Sequence, residues 1–212
     1  MSVRNGFVVG KILFGVTVGL LILNTSAHGL LPGSGVVFER EHIKIFVSEG
    51  RVRVEGLYVF ANHSATMRHE GLFYPFPIDS LHPEIENVTV HIEGDTASHQ
   101  HVEDGIVFVV RVPGHGSAVI EVIYEQTCLD RSACYILTST AFWDRPLERA
   151  GFEIHVPGDF ELEWVAYDVD TVSVDRDTRI HEFVRTDFMP DKDLCFRWRH
   201  RRARTENKTD PY

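Results

Sequence analysis

"HIKIFVSEGRVRVEGLYVF", residues 42–60, is the stretch from which the fold class is read. Ile43, Ile45 and Val47 fall on one side of an extended chain, and Val52, Val54, Tyr58 and Phe60 do so in the run that follows. Successive side chains of a strand point to opposite faces, so period-two alternation marks strands with one buried face. The pattern recurs in "ENVTVHIE", with Val88, Val90 and Ile92 on one side, and in "SAVIEVIYEQ", with Ala118, Ile120, Val122 and Tyr124 on one side. Shorter segments at 106–112, 134–142, 151–156, 161–167, 179–186 and 193–198 are separated by Gly, Pro, Asp and Ser. No amphipathic helical stretch of three turns is present. Many short strands punctuated by turns predict an all-β antiparallel β-sandwich over residues 36–199, either one large sandwich or two small packed ones.

The chain opens with Arg4 and Lys11 ahead of a largely apolar run from Ile12 to Leu23, followed by small polar residues. That order is a secretory signal. A spanning helix needs about 20 apolar residues, which this run reaches only by extending across Lys11. The reading is a signal peptide at residues 1–27, cleaved after Ala27, with an uncleaved membrane anchor as the alternative. The expected location is periplasmic or extracellular.

Of 21 Lys+Arg and 31 Asp+Glu, two basic residues lie in the leader and six lie from Arg197 onward. The body between is strongly acidic, which disfavours nucleic acid, whose phosphates need Lys and Arg. Residues 200–212 read as a basic disordered tail. Membrane contact is expected only through the signal segment or weakly through this tail.

Export bears on "YEQTCLDRSACYIL", residues 124–137, because disulfides persist in oxidising compartments. The five residues between Cys128 and Cys134 do not suit a zinc clip or a Cys-x-x-Cys redox pair. If 119–126 and 134–139 are neighbouring strands, a hairpin brings Cys128 and Cys134 together as a staple, leaving Cys195 buried and unpaired. Should the last strand lie beside that hairpin, Cys195 instead pairs with either partner.

"EGLFYPFPIDSLHP" is the most unusual local composition. Pro75 and Pro77 remove ladder donors at alternate positions, so a strand at 74–78 belongs at a sheet edge or a bend. Phe73, Tyr74 and Phe76 then either fill a core corner or, with Trp143 of "TAFWDRPLERAGF", offer an aromatic platform to a partner.

Catalytic signals are weak. Among 12 histidines, His99 and His101 of "HQH" are metal-ligand candidates within a polar loop, the more so if His91 lies nearby. "DVDTVSVDRD" lacks the Gly and terminal Glu of an EF-hand loop, and His115 beside Ser117 has no Gly-x-Ser-x-Gly elbow. Asn62, Asn87 and Asn207 head glycosylation sequons.

"VEGLYVFANHSATMRHEGLFYPFPIDS" and "FVVRVPGHGSAVIEVIYEQ" resemble the VIT (vault protein inter-alpha-trypsin) β-sandwich modules, and "FMPDKDLCFRW" resembles the Pro-Asp-x-Asp strand that in such proteins leads toward a von Willebrand A domain. No Asp-x-Ser-x-Ser metal motif of that domain is present. The resemblance implies a sandwich fold and a role in binding or assembly. The expected function is therefore an exported, non-catalytic module without a cofactor that binds a protein partner, the alternative being a small exported enzyme or metal-binding protein with a dispersed site.

Overall fold

A computed structural model describes residues 35–201, so the expected leader and the part of the expected tail 200–212 that follows Arg201 lie outside the described residues, while His200, expected in that disordered tail, instead ends the last strand and pairs with Phe160. Strands β1 (Val36–Ser48), β2 (Arg51–Asn62), β3 (Arg68–Pro75), β4 (Ile85–Ile92), β5 (Asp95–Thr96), β6 (Gln100–Val102), β7 (Gly105–Val112), β8 (Ser117–Thr127) and β9 (Ser132–Tyr135) precede a 3-10 helix at Thr138–Trp143. After it come β10 (Leu147–Pro157), β11 (Phe160–Val165), β12 (Thr171–Asp175), β13 (Thr178–Phe188) and β14 (Leu194–His200).

An eight-stranded sheet runs in the order β12-β13-β10-β1-β2-β8-β4-β5, and two three-stranded sheets, β11-β14-β9 and β3-β7-β6, form the other layer. The β1–β10 pair is parallel. Inward side chains of all three sheets join one apolar cluster. The chain thus builds one large all-β sandwich whose second layer is divided between two small sheets. The alternations read from the sequence carry through: Ile43, Ile45, Val47, Val52, Val54, Ile120, Val122 and Tyr124 are all buried.

Strand β1 contains one irregularity that matters for the site. Phe38 pairs with Phe60 and Arg40 with Val59, so Glu39 is an extra residue in the ladder. A bulge of this kind shifts the inward phase by one. Val36 and Phe38 face the core before it, and Glu41, Ile43, Ile45 and Val47 face it afterwards.

Three expectations are corrected. The segment 134–142 is not one strand, because β9 ends at Tyr135 and the 3-10 helix starts at Thr138. The expected hairpin is absent: β8 lies between β2 and β4 in the large sheet, whereas β9 pairs with β14 in the other layer. Cys128 and Cys134 are therefore not joined. The disulfide links Cys134 to Cys195, which oppose each other across the β9–β14 ladder with Cα atoms 4.0 Å apart. Cys128, at the end of β8, is the buried free thiol. The crossing between layers after β8 carries Cys134 away from Cys128 and sets it opposite Cys195. A bridge spanning 61 residues stabilises the fold by about 4 kcal/mol in the chain-entropy picture, against about 2 for the small ring first expected.

Candidate functional site

Glu41 is a carboxylic acid placed among apolar inward neighbours by the phase of β1, and only 5% of its surface is exposed. Directly opposite it on β2 stands Tyr58. The Tyr58 ring lies back over Gly56, where any Cβ would collide with its hydroxyl and ring carbons. A glycine is thus needed two residues before the tyrosine. The Tyr58 hydroxyl is the centre of a polar chain, 2.9 Å from the Tyr74 hydroxyl and 2.7 Å from that of Tyr135.

These groups come from different layers: Glu41 and Tyr58 from the large sheet, Tyr74 from β3 and Tyr135 from β9. Where the three sheets meet they border a cavity of about 80 Å³. Its remaining walls mix the aromatic Phe38, Phe60, Phe73, Phe108 and Trp143 with aliphatic side chains such as Ile120 and Val122, and Ser139 and Thr140 add hydroxyl groups. Trp143 packs on Phe60 and Phe38 with ring centroids 5.0 and 5.9 Å apart. Phe73 borders the cavity while 55% exposed, and Phe142, next to Trp143, is 68% exposed.

Electrostatically the site is governed by burial. Burial pushes the Glu41 carboxyl from its ordinary 4.5 up to about 8, since the charged form loses its water. Its Oε1 has no hydrogen-bond partner among the described residues. Burial likewise holds the Tyr58, Tyr74 and Tyr135 hydroxyls well above their usual range. All three are neutral donors and acceptors at ordinary pH.

The 3-10 helix that closes one side is anchored from β14's leading turn. One Asp193 carboxylate oxygen accepts from the Leu137 and Thr138 amides, both at 3.0 Å, and from the Thr138 hydroxyl at 2.9 Å. The disulfide lies two residues further on, at Cys195.

Of the residues singled out from the sequence, Tyr74 and Trp143 come together at this cavity. Phe76 does not. At 4% exposure it is core, packed on Tyr124 with centroids 4.9 Å apart, so its reading as a partner-binding aromatic is corrected. Chain direction explains this: β3 ends at Pro75, and the Phe76 amide turns to donate to the Asp104 carbonyl. β3 itself lies at a sheet edge, where its proline leaves no ladder donor missing. Glu41, the central polar group, escaped the sequence reading although it lies two residues before Ile43 and shares its phase.

Other polar clusters organise the fold. The His99 and His101 rings are 5.3 Å apart, but His91 bonds Glu121, and among the described residues no three His, Cys, Asp or Glu are grouped to hold a metal. Asp79, His82 and Ser132 imitate a hydrolytic triad at first sight. His82 is held by Asp79 on Nδ1 and by the Ser132 carbonyl on Nε2, both at 2.8 Å. The Ser132 hydroxyl donates to Asp130 at 2.6 Å. The same hydroxyl lies 3.4 Å from His82 Nε2, but that nitrogen is taken up by the nearer Ser132 carbonyl, so both ring nitrogens are engaged and His82 ties the Asp79 turn to the start of β9. Asn62 is buried and donates to the Thr66 and Val112 carbonyls, so its sequon is a turn lock.

No family model matches the sequence, and no curated protein matches it. Solved structures do share the fold. A candidate nutrient-binding protein from Legionella pneumophila superposes with a TM-score of 0.65 at 16% identity, over 77% of this chain and 67% of that one. An M1 zinc metallopeptidase from Deinococcus radiodurans gives a TM-score of 0.50 at 10% identity, over 77% of this chain and 42% of that one. A mutant of that peptidase bound to a Tyr-Ser-Ala substrate matches over 80% of this chain and 44% of its own, at 10% identity and a TM-score of 0.50. This chain spans less than half the length of the peptidases, and the likeness is one of fold. His69-Glu70 and His181-Glu182 each lack the second histidine of the His-Glu-x-x-His zinc motif.

Proposed function

We propose that this protein is a non-catalytic binding module working outside the cytoplasm, and that its partner is held at the aromatic seam where the three sheets meet. The observation that carries this reading is the cavity itself. Side chains from six strands and the 3-10 helix converge on it, and its rim presents Phe73 beside the half-buried Tyr74 and Trp143. Concave aromatic surfaces with a few fixed polar groups are where proteins hold ligands.

Export is supported by the leader pattern and by the Cys134–Cys195 bridge, which persists in an oxidising compartment. No helix among the described residues is long and apolar enough to cross a membrane. The resemblance to VIT modules and the fold shared with a candidate nutrient-binding protein both favour binding over turnover. A space of about 80 Å³ admits one chemical group of a ligand. The rest of the partner, a protein of the envelope or extracellular space, lies across the rim.

The test compares wild type with Trp143→Ala and Tyr74→Phe in crosslinked capture from the native source, followed by titration of the captured partner against purified protein. Binding should weaken at least tenfold in Trp143→Ala while urea unfolding stays cooperative. Unchanged affinity in both variants, or turnover of a substrate abolished by a single His or carboxylate change, overturns the reading.

A further inference from the structure

We propose that the cavity is an ammonium site, in which Glu41 and the Tyr58–Tyr74–Tyr135 hydroxyls receive the charged head of a primary amine between aromatic walls. The inference rests on the binding-module reading and names the chemistry that this module recognises. It applies to a free small amine and to a lysyl side chain presented by a partner alike.

Three observations converge on a cation. The unpartnered Glu41 Oε1 is an acceptor buried beside the cavity that its residue lines. Carboxylates removed from water are retained where a charge partner or hydrogen bonds compensate them, and no Lys, Arg or His borders this cavity. Aromatic rings attract cations, and Phe38, Phe60 and Trp143, which line the cavity, are clustered within 6 Å of one another by centroid. The tyrosine hydroxyls use two hydrogen bonds among three oxygens, so acceptor lone pairs remain for further N–H donors. An ammonium group has three donors, and its compact head matches a cavity of about 80 Å³. An anion would face Glu41 in an acidic protein of formal net charge −10.

Binding of this kind carries a proton signature. The titratable groups that interact with Glu41 are Tyr58 of β2, Tyr74 of β3, Tyr135 of β9 and Tyr167 beyond β11, and burial raises each of them. None is charged near neutrality, so Glu41 is the group that titrates. Burial keeps it protonated below about pH 8. Arrival of the amine expels that proton to solvent: the carboxyl O–H bond breaks, the ammonium keeps its protons, and the pair forms. Affinity then rises about tenfold per pH unit between pH 6 and 8 and levels off above.

The experiment is isothermal titration calorimetry with n-butylammonium chloride, 1-butanol as the neutral probe, and the peptide acetyl-Gly-Lys-Gly-amide, in two buffers of different ionisation enthalpy. Butylammonium should bind wild type with release of close to one proton at pH 7, and at least tenfold more weakly to Glu41→Gln, with 1-butanol binding alike to both. Should Glu41→Gln fail to fold cooperatively, the proton release and pH slope of wild type decide the matter. Peptide binding as tight as the free amine assigns the site to a lysyl side chain, and binding of the free amine alone assigns it to a small molecule. Equal binding of amine and alcohol without proton release overturns the ammonium site and leaves the binding-module reading standing. No binding of the amine at any pH also overturns it, and that reading is then decided by its own capture test.

Discussion

Glu41 and Tyr58 stand directly opposite one another across the β1–β2 ladder, an acid and a hydroxyl facing inward from adjacent strands among apolar neighbours. The pairing depends on the bulge at Glu39, since in a regular ladder the phase of Val36 and Phe38 would turn residue 41 outward. A sandwich that spends a core position on a carboxyl bears a cost that varies with pH.

That cost gives the first prediction. The Glu41 carboxyl is raised from 4.5 to about 8 in the folded protein, so the native state binds more protons than the unfolded chain between these values. Stability contributed by neutral Glu41 is full below about pH 4.5, declines as pH rises, and is lost above about 8. The total is at most about 5 kcal/mol. Urea unfolding of wild type and Glu41→Gln at pH 5.5, 7 and 8.5 should show the variant gaining on wild type at each step. A stability difference independent of pH would refute it.

The second prediction concerns Tyr58 and Gly56. Tyr58→Phe removes the hydroxyl bonded to both Tyr74 and Tyr135 and should cost about 2 kcal/mol, because two buried polar groups lose a partner. Gly56→Ala sets a methyl group into the space of the Tyr58 ring and should cost about 1–3 kcal/mol through overpacking. In a Tyr58→Ala background the Gly56→Ala penalty should largely vanish. Additive losses in the double-mutant cycle would show that the two residues do not touch.

Strand periodicity was readable because one face of each long strand meets the core. From Ile43 to Val47 and from Ala118 to Tyr124 that rule operates without interruption. Glu41 was readable in principle from the same phase, but an acid two residues upstream of an apolar run looks like the solvated end of a strand. The disulfide was readable only as an alternative, Cys195 pairing with either partner should the last strand lie beside Cys134, as it does. Which strands lie side by side is decided by the layer each one joins, and β9 leaves the large sheet without any local signal beyond the polar stretch 129–132. Tyr74 and Trp143 were chosen for their aromatic character, and the fold unites them with Tyr135, which nothing in its own neighbourhood marks as a site residue.

The cysteines supply the third prediction. Non-reducing peptide mapping should recover Cys134 linked to Cys195, and Cys134→Ala with Cys195→Ala should destabilise the protein by about 4 kcal/mol. Cys128 should resist maleimide in the native state, because burial foremost, and then the nearby Asp130 charge, push its thiol up to about 12. The thiolate is the reactive form. Labelling of Cys128 at the rate of a free thiol, without unfolding, would contradict this.

The last prediction tests how the 3-10 helix is held over the cavity. Asp193 receives three hydrogen bonds from Leu137 and Thr138 on a single oxygen, and a well-shielded hydrogen bond to a charged acceptor contributes about 1.5–3 kcal/mol net. Thr138 is exposed, so water replaces part of that loss and the expected cost of Asp193→Ala is about 2 kcal/mol. The consequence is local before it is global. Trp143 lies at the far end of the same helix, against Phe38 and Phe60, and release of the near end should let it move away from them. Trp143 fluorescence, isolated by Trp164→Phe and Trp198→Phe substitutions, should shift to the red in Asp193→Ala well before the unfolding midpoint in urea, with ligand affinity at the cavity falling in step. An unshifted spectrum with unchanged affinity would mean that packing on Phe60 alone positions the helix and that Asp193 serves β14.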